Sequence, residues 1–166
     1  MQSMSRLRPV FEGLSDPRPA PPRPETFEEL AALPDECIDL ATGAALIARD
    51  AHATLDVERL VGRFDDLAAP LEGRNLALIA PSEQAAAISH YLYEQLGFRG
   101  NEQEYYDPKN SLLPDVLDRR LGIPITLAVV YCEVARRVGV RARGVSFPWH
   151  FLVRVDSPGT EGDPIA

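Results

Sequence analysis

Sulfur is scarce in this chain. Its 166 residues hold two cysteines, Cys37 and Cys132, with no CxxC or Cys/His ligand spacing around either. Histidine is as sparse: His52, His90 and His150 are widely scattered, so neither a metal nor any other cofactor is expected. A disulfide between the cysteines stays open, although a reducing compartment would leave two buried thiols. Basic charge is in short supply too. Seventeen Lys and Arg face 25 Asp and Glu, a formal charge of −8. A surface that tracks phosphates needs a basic stripe, and none is visible, so no nucleic-acid partner is expected. No apolar run approaches bilayer length, and the first residues lack a signal-peptide core. The expectation is a cytoplasmic protein with no membrane association.

Proline, by contrast, is plentiful at one end. Residues 1–24 contain six prolines and several charges, a composition that buries too little apolar surface to offset ordering entropy. This reads as a disordered arm, followed by one domain over 25–166. A second reading makes the arm a docking segment built on Val10, Phe11 and Leu14.

From Thr26 the pattern turns helical, with Glu29 completing a capping box. The stretch 39–51 places Leu40, Ala44, Ile47 and Ala48 on one face. Asp56 caps a helix repeating Val57, Leu60, Val61, Phe64 and Leu67. "NLALIA" at 75–80 fits a short strand or a helical approach. Pro81 opens the next helix, Gly97 and Phe98 close it, and His90 reads as a flank or core residue. Ser111 is placed to cap a short helix through Leu113, Val116, Leu117 and Arg120. The helix from about Pro124 to Val138 is apolar around most of its circumference, with Glu133, Arg136 and Arg137 marking a wet side. Such a helix belongs in the middle of a fold. "VRARGVSF" and "HFLVRV" then alternate as strands, and a polar turn follows. Two strands make a poor sheet. The chain therefore reads as a piece of a longer polypeptide, cut inside a hairpin, and its exposed sheet edge invites homodimer pairing.

The segments "GFRGN", "YYDPKNS", "LDRRLGIPITLAVVY" and "GVSFPWHFLVRV" resemble the transglutaminase-like superfamily. More narrowly they resemble its SirB-type bacterial branch, which is related to part of a eukaryotic F-box protein. The likeness covers roughly residues 36–155. It implies an α+β, papain-like fold: a mostly helical N-terminal part, with a central helix packed on a small antiparallel sheet. It also implies a nucleophile at the start of the central helix, a histidine on a following strand and an acidic residue on the strand after that. His150 matches the histidine. The nucleophile position falls nearest Thr126, and the acidic partner would lie beyond Ala166. Trp149 stands where the family usually shows glycine.

A helix N-terminus favours a thiol because its amides and dipole stabilise the thiolate. Threonine gains little there and needs a base to take its proton. Cys132 lies about 9 Å further along the same helix, rotated by about 120°, and reads as a packing residue. Thr126 itself has a structural reading, as a first-turn residue whose hydroxyl satisfies backbone groups. In "EYYDPKNS", Asp107 and Asn110 suit a tight turn feeding a helix, with Tyr105 and Tyr106 packed under it. The functional alternative has Tyr106, Asp107, Asn110 and Trp149 lining a groove beside Thr126 and His150 and contacting a protein or peptide. Two functions follow. One is a non-catalytic binding domain with a transglutaminase-like fold. The other is a hydrolase or acyltransferase using Thr126 and His150.

Overall fold

The computed structural model describes residues 23–34, 37–148 and 150–156. Nearly all of the Pro-rich arm, Trp149 and the expected return strand therefore lie outside the described residues. Within them the fold is α+β, as read from the sequence.

Helix α1 (Phe27–Ala31) starts on the expected capping box: the Glu29 N–H donates to the Thr26 hydroxyl at 3.2 Å, and the Glu29 carboxylate accepts from the Thr26 N–H. Helix α2 (Leu40–Ala48) is capped by Asp39, which accepts from the Thr42 N–H at 2.7 Å. Its buried face is Ala41, Thr42, Ala45, Leu46 and Ala48. The expected stripe is thus corrected in part: Ala48 is buried and Ala44 packs against the core, but Leu40 and Ile47 are about half exposed. Small residues let this helix approach its neighbours closely, so side-chain bulk was a poor guide to the face that packs. Helix α3 (Val57–Ala68) starts at Asp56 as expected and buries Leu60, Val61, Phe64 and Ala68.

Residues Leu76–Leu78 form a 3₁₀ turn, which resolves the "NLALIA" ambiguity against a strand. Helix α4 (Pro81–Ser89) has Pro81 in its first turn and continues into a π-helical segment, His90–Gln95. Gly97, at φ 77°, ends it in the left-handed region, and the Phe98 N–H closes back on the Leu92 carbonyl at 3.0 Å. His90 is a flank residue, paired with Glu94 at 2.9 Å.

Strand β1 (Arg99–Gly100) pairs in parallel with β2 (Leu121–Gly122). Between them lie a 3₁₀ turn, Pro108–Asn110, and helix α5 (Leu113–Arg119). Ser111 does not cap α5. It closes the 3₁₀ turn, Leu112 takes the N-cap position without a side-chain bond, and Pro114 enters the first turn.

Helix α6 (Pro124–Arg137) is the centre of the molecule. It packs against α2, α3, α4, α5 and the antiparallel hairpin of β3 (Ala142–Phe147) and β4 (His150–Val155). Val130, Val134 and Ala135 are almost fully buried, and a valine so placed stabilises by about 1.5–3 kcal/mol. The supposed wet side is the main correction. Glu133 is buried and pairs with Arg137 at 2.6 Å and Arg136 at 2.8 Å. Arg137 in turn reaches Asp65 and the Val61 carbonyl on α3 and lies over the Phe64 ring. Glu133 and Arg137, read as solvated, thus form a polar bolt between α6 and α3, while Arg136 stays exposed and reaches Asp39 at the start of α2.

Candidate functional site

The opening turn of α6 is built against a loop, not against a histidine. Ile123 is the N-cap residue of α6, and its N–H donates to the Asn110 carbonyl at 3.1 Å. The Thr126 hydroxyl donates toward the same carbonyl at 2.8 Å and toward the Ile123 carbonyl at 3.0 Å. A hydroxyl has one proton, which these two acceptors share. Gly122 lies so close that a Cβ there would sit 2.8 Å from Thr126 Oγ1 and 3.1 Å from Val116. Thr126 is therefore buried, hydrogen-bonded and hemmed in.

Asn110 is the hub of this arrangement and is itself fully buried. Its side-chain amide donates to the Glu104 carbonyl at 2.7 Å and the Tyr105 carbonyl at 3.2 Å. Its Oδ1 accepts from Asn101 Nδ2 at 3.1 Å, and Asn101 Oδ1 accepts from the Glu104 N–H. Two buried asparagines thus replace the secondary structure that loop 101–107 lacks. Asp107 caps the 3₁₀ turn by accepting from the Lys109 N–H at 3.0 Å and meets Arg119 at 2.9 Å. The Lys109 hydrogen bond and the Arg119 charge hold the Asp107 carboxyl below its ordinary value, against partial desolvation.

With the asparagines filling the loop, the tyrosines turn outward. Tyr106 is 92% exposed and Tyr105 57%, contrary to the expectation that both pack beneath the turn. Their rings meet edge to face, 5.3 Å apart.

His150 opens β4 and is exposed. Along β4, Phe151, Val153 and Val155 are half-buried, while His150, Leu152 and Arg154 alternate outward. Among the described residues, no hydrogen bond or ion pair joins His150 to Thr126. The structure therefore gathers Asp107, Asn110 and Thr126 into one network and leaves His150 and Tyr106 outside it, with Trp149 undescribed.

Among the described residues, cavities open on both sides of α6. One, of about 540 Å³, is lined by Cys37, Asp39, Cys132, Glu133, Arg136 and Asp156 among others. Desolvation, helped by Glu133, pushes the Cys132 thiol up to about 11, which suits packing and not attack. The other, of about 670 Å³, is a groove between the α4–π segment and β4, and α6 forms its floor. Tyr93, Phe98, Arg99, Leu127, Tyr131 and Phe151 are among its walls. Burial raises the Tyr93 and Tyr131 phenols, keeping both protonated, and Tyr131 donates to the Ala85 carbonyl at 3.2 Å. This groove was not anticipated from the sequence. Its signal was the apolar girth of α6, which is more than the helices alone cover. Among the described residues no group of three His, Cys, Asp or Glu side chains is disposed to hold a metal, and no helix is long and apolar enough to cross a membrane.

Comparison with known proteins gives the family of the chain. Residues 57–165 match the model of the transglutaminase-like superfamily. A UPF0162 protein of Xylella fastidiosa is 45% identical over 133 residues, covering 78% of this chain and 46% of the relative. A UPF0162 protein of Pseudomonas aeruginosa is 38% identical over 114 residues, 69% of this chain and 39% of its own. F-box only protein 21 of Mus musculus is 47% identical over 73 residues, 44% of this chain and 12% of that protein. The chain spans about half the length of the first of these relatives. No solved structure matches it.

Proposed function

The chain belongs to the transglutaminase-like superfamily, and we propose that it serves there as a non-catalytic, protein- or peptide-binding domain. One observation carries this reading: the Thr126 hydroxyl, nearest the nucleophile position that the resemblance implies, is buried and donates to two main-chain carbonyls. An oxygen nucleophile needs a base that accepts its proton, and carbonyls already in hydrogen bonds do not serve as one. The first turn of α6 reads Pro124, Ile125, Thr126, so no thiol stands there. The binding half of the proposal rests on the groove beside β4, whose walls combine aromatic rings with phenol and guanidinium groups, the mixture typical of recognition sites. An extended peptide laid there packs on α6 and meets the β4 edge, which has no strand beside it among the described residues. A SirB-type assignment and a cytoplasmic location are part of the same proposal.

The test uses the full-length protein. Acyl transfer and peptide or ester hydrolysis are compared in wild type, Thr126→Ala and His150→Ala, with all three expected at background. Turnover in wild type that both substitutions abolish establishes the hydrolase or acyltransferase reading instead. Binding is tested with a peptide library on wild type and Tyr93→Arg, a change at the groove wall. Equal capture by both removes the groove from the proposal.

A further inference from the structure

The exposed tyrosine pair is displayed by design of the loop, not by looseness. Asn110 ties down the carbonyls of Glu104 and Tyr105, Asn101 ties down the Glu104 N–H, and Asp107 pins the next turn. A loop held at so many points presents Tyr105 and Tyr106 as a fixed corner, its two rings 89° apart. Solvent exposure of a preformed aromatic corner marks an interaction surface. Ile125, about half exposed in the first turn of α6, belongs to the same end of the molecule, because Ile123 and Thr126 are bonded to Asn110. The loop also carries exposed Glu102 and Glu104, which select a cationic and apolar occupant.

The chain contains such an occupant. Residues 6–11 read Arg-Leu-Arg-Pro-Val-Phe: two guanidinium groups followed by a proline and two apolar side chains. The root of that segment is tied through α2 to α5. Arg49, at the end of α2, donates to the Glu25 carbonyl at 2.8 Å, and His52 three residues later meets Asp115 in the first turn of α5 at 2.7 Å. Helix α5 follows the Pro108–Asn110 turn, which itself follows the loop that carries the tyrosines. About 12 residues separate Phe11 from Arg23, and an extended chain of that length reaches on the order of 40 Å. We propose that the chain's own segment Arg6–Phe11 docks on the Tyr105–Tyr106 corner, with Arg6 and Arg8 toward Glu102 and Glu104 and with Pro9 and Phe11 against the rings.

Tyrosine nitration read by mass spectrometry tests this in the full-length protein, with half-exposed Tyr93 as the internal reference. Deleting residues 1–14 is expected to raise nitration of Tyr106 relative to Tyr93 by about tenfold, the occupancy that a millimolar effective concentration gives against a dissociation constant of about 0.1 mM. Arg6→Glu with Arg8→Glu is expected to give the same rise without a deletion, and added salt to move wild type toward it. An unchanged ratio after deletion overturns the proposal, including the case where another part of the protein protects Tyr106 in both forms. Protection that fades on dilution overturns it as well, because it assigns the occupant to a second molecule.

Discussion

The Thr126 hydroxyl donates to the main-chain carbonyl of Asn110, 2.8 Å away and 16 residues earlier in the chain. That one contact ties the first turn of the central helix to the loop in front of it, and it directs to a carbonyl the proton that a catalytic reading would need handed to a base.

Thr126→Val keeps the volume and removes the donor. The Asn110 carbonyl retains the Ile123 N–H, so the expected loss is modest, about 1–2 kcal/mol in a urea melt. Thr126→Ser keeps the donor and is expected to lie closer to wild type. A Thr126→Val protein as stable as wild type would mean that the hydroxyl is not bonded where it is described.

Asn110 carries more. Replacing it by alanine strands the Tyr105 carbonyl and the amide of Asn101 and leaves the Glu104 carbonyl only the Asp107 N–H, and the expected cost is about 3 kcal/mol. Proteolysis should then begin in loop 101–107. A cost below that of Thr126→Val contradicts the hub role assigned to Asn110.

Much of this framework was legible in the sequence, and the misses share a cause. The girth of α6, the alternation in β3 and β4, the Thr26 capping box and the Gly97 stop are local patterns, readable within a few residues. Glu133 is different: its burial depends on Arg137 one turn on and on α3 receiving that arginine, a partner far away in sequence. Tyr105 and Tyr106 were misplaced for a similar reason. Aromatic rings ordinarily win the space under a turn, but here Asn101 and Asn110 fill it with hydrogen bonds that no periodicity announces. The phase of α2 was lost because Ala41 and Ala45 pack closely without being large. At the candidate site, the position of Thr126 in the first turn was readable, whereas the destination of its proton was a tertiary fact.

The Glu133–Arg137 bolt makes a separate prediction. Glu133→Gln leaves a nearly buried guanidinium short of its main counter-charge, and the expected loss is about 3 kcal/mol. Arg137→Met costs a similar amount, but the double variant should lose clearly less than the two together, because neither partner is then left alone. Strict additivity in chemical denaturation would show that the two side chains do not act as a pair.

The cysteines should react at very different rates. Cys132 is buried and its thiol is pushed up to about 11, which leaves roughly one part in 10⁴ as thiolate at neutral pH. Cys37 is exposed. Iodoacetamide at neutral pH is expected to label Cys37 first and Cys132 only after unfolding. Early labelling of Cys132 in the native protein would mean that the cavity beside it opens.

Asp107 gives the pH dependence a sign. Its carboxyl is held below the ordinary 3.8, first by the Lys109 N–H and then by Arg119. A group whose folded value is depressed contributes stability in full above its unfolded value and loses it as pH falls through the folded one. Asp107 therefore stabilises the 3₁₀ turn and the Arg119 contact above about pH 4 and progressively less below it. Asp107→Asn still caps the turn through its side-chain oxygen but cannot titrate. Between about pH 5 and pH 3, wild type should lose more of its denaturation midpoint than Asp107→Asn does, and the two curves should converge at the acidic end. Parallel curves across that range would show that Asp107 is no better stabilised as a carboxylate in the folded protein than in the unfolded chain.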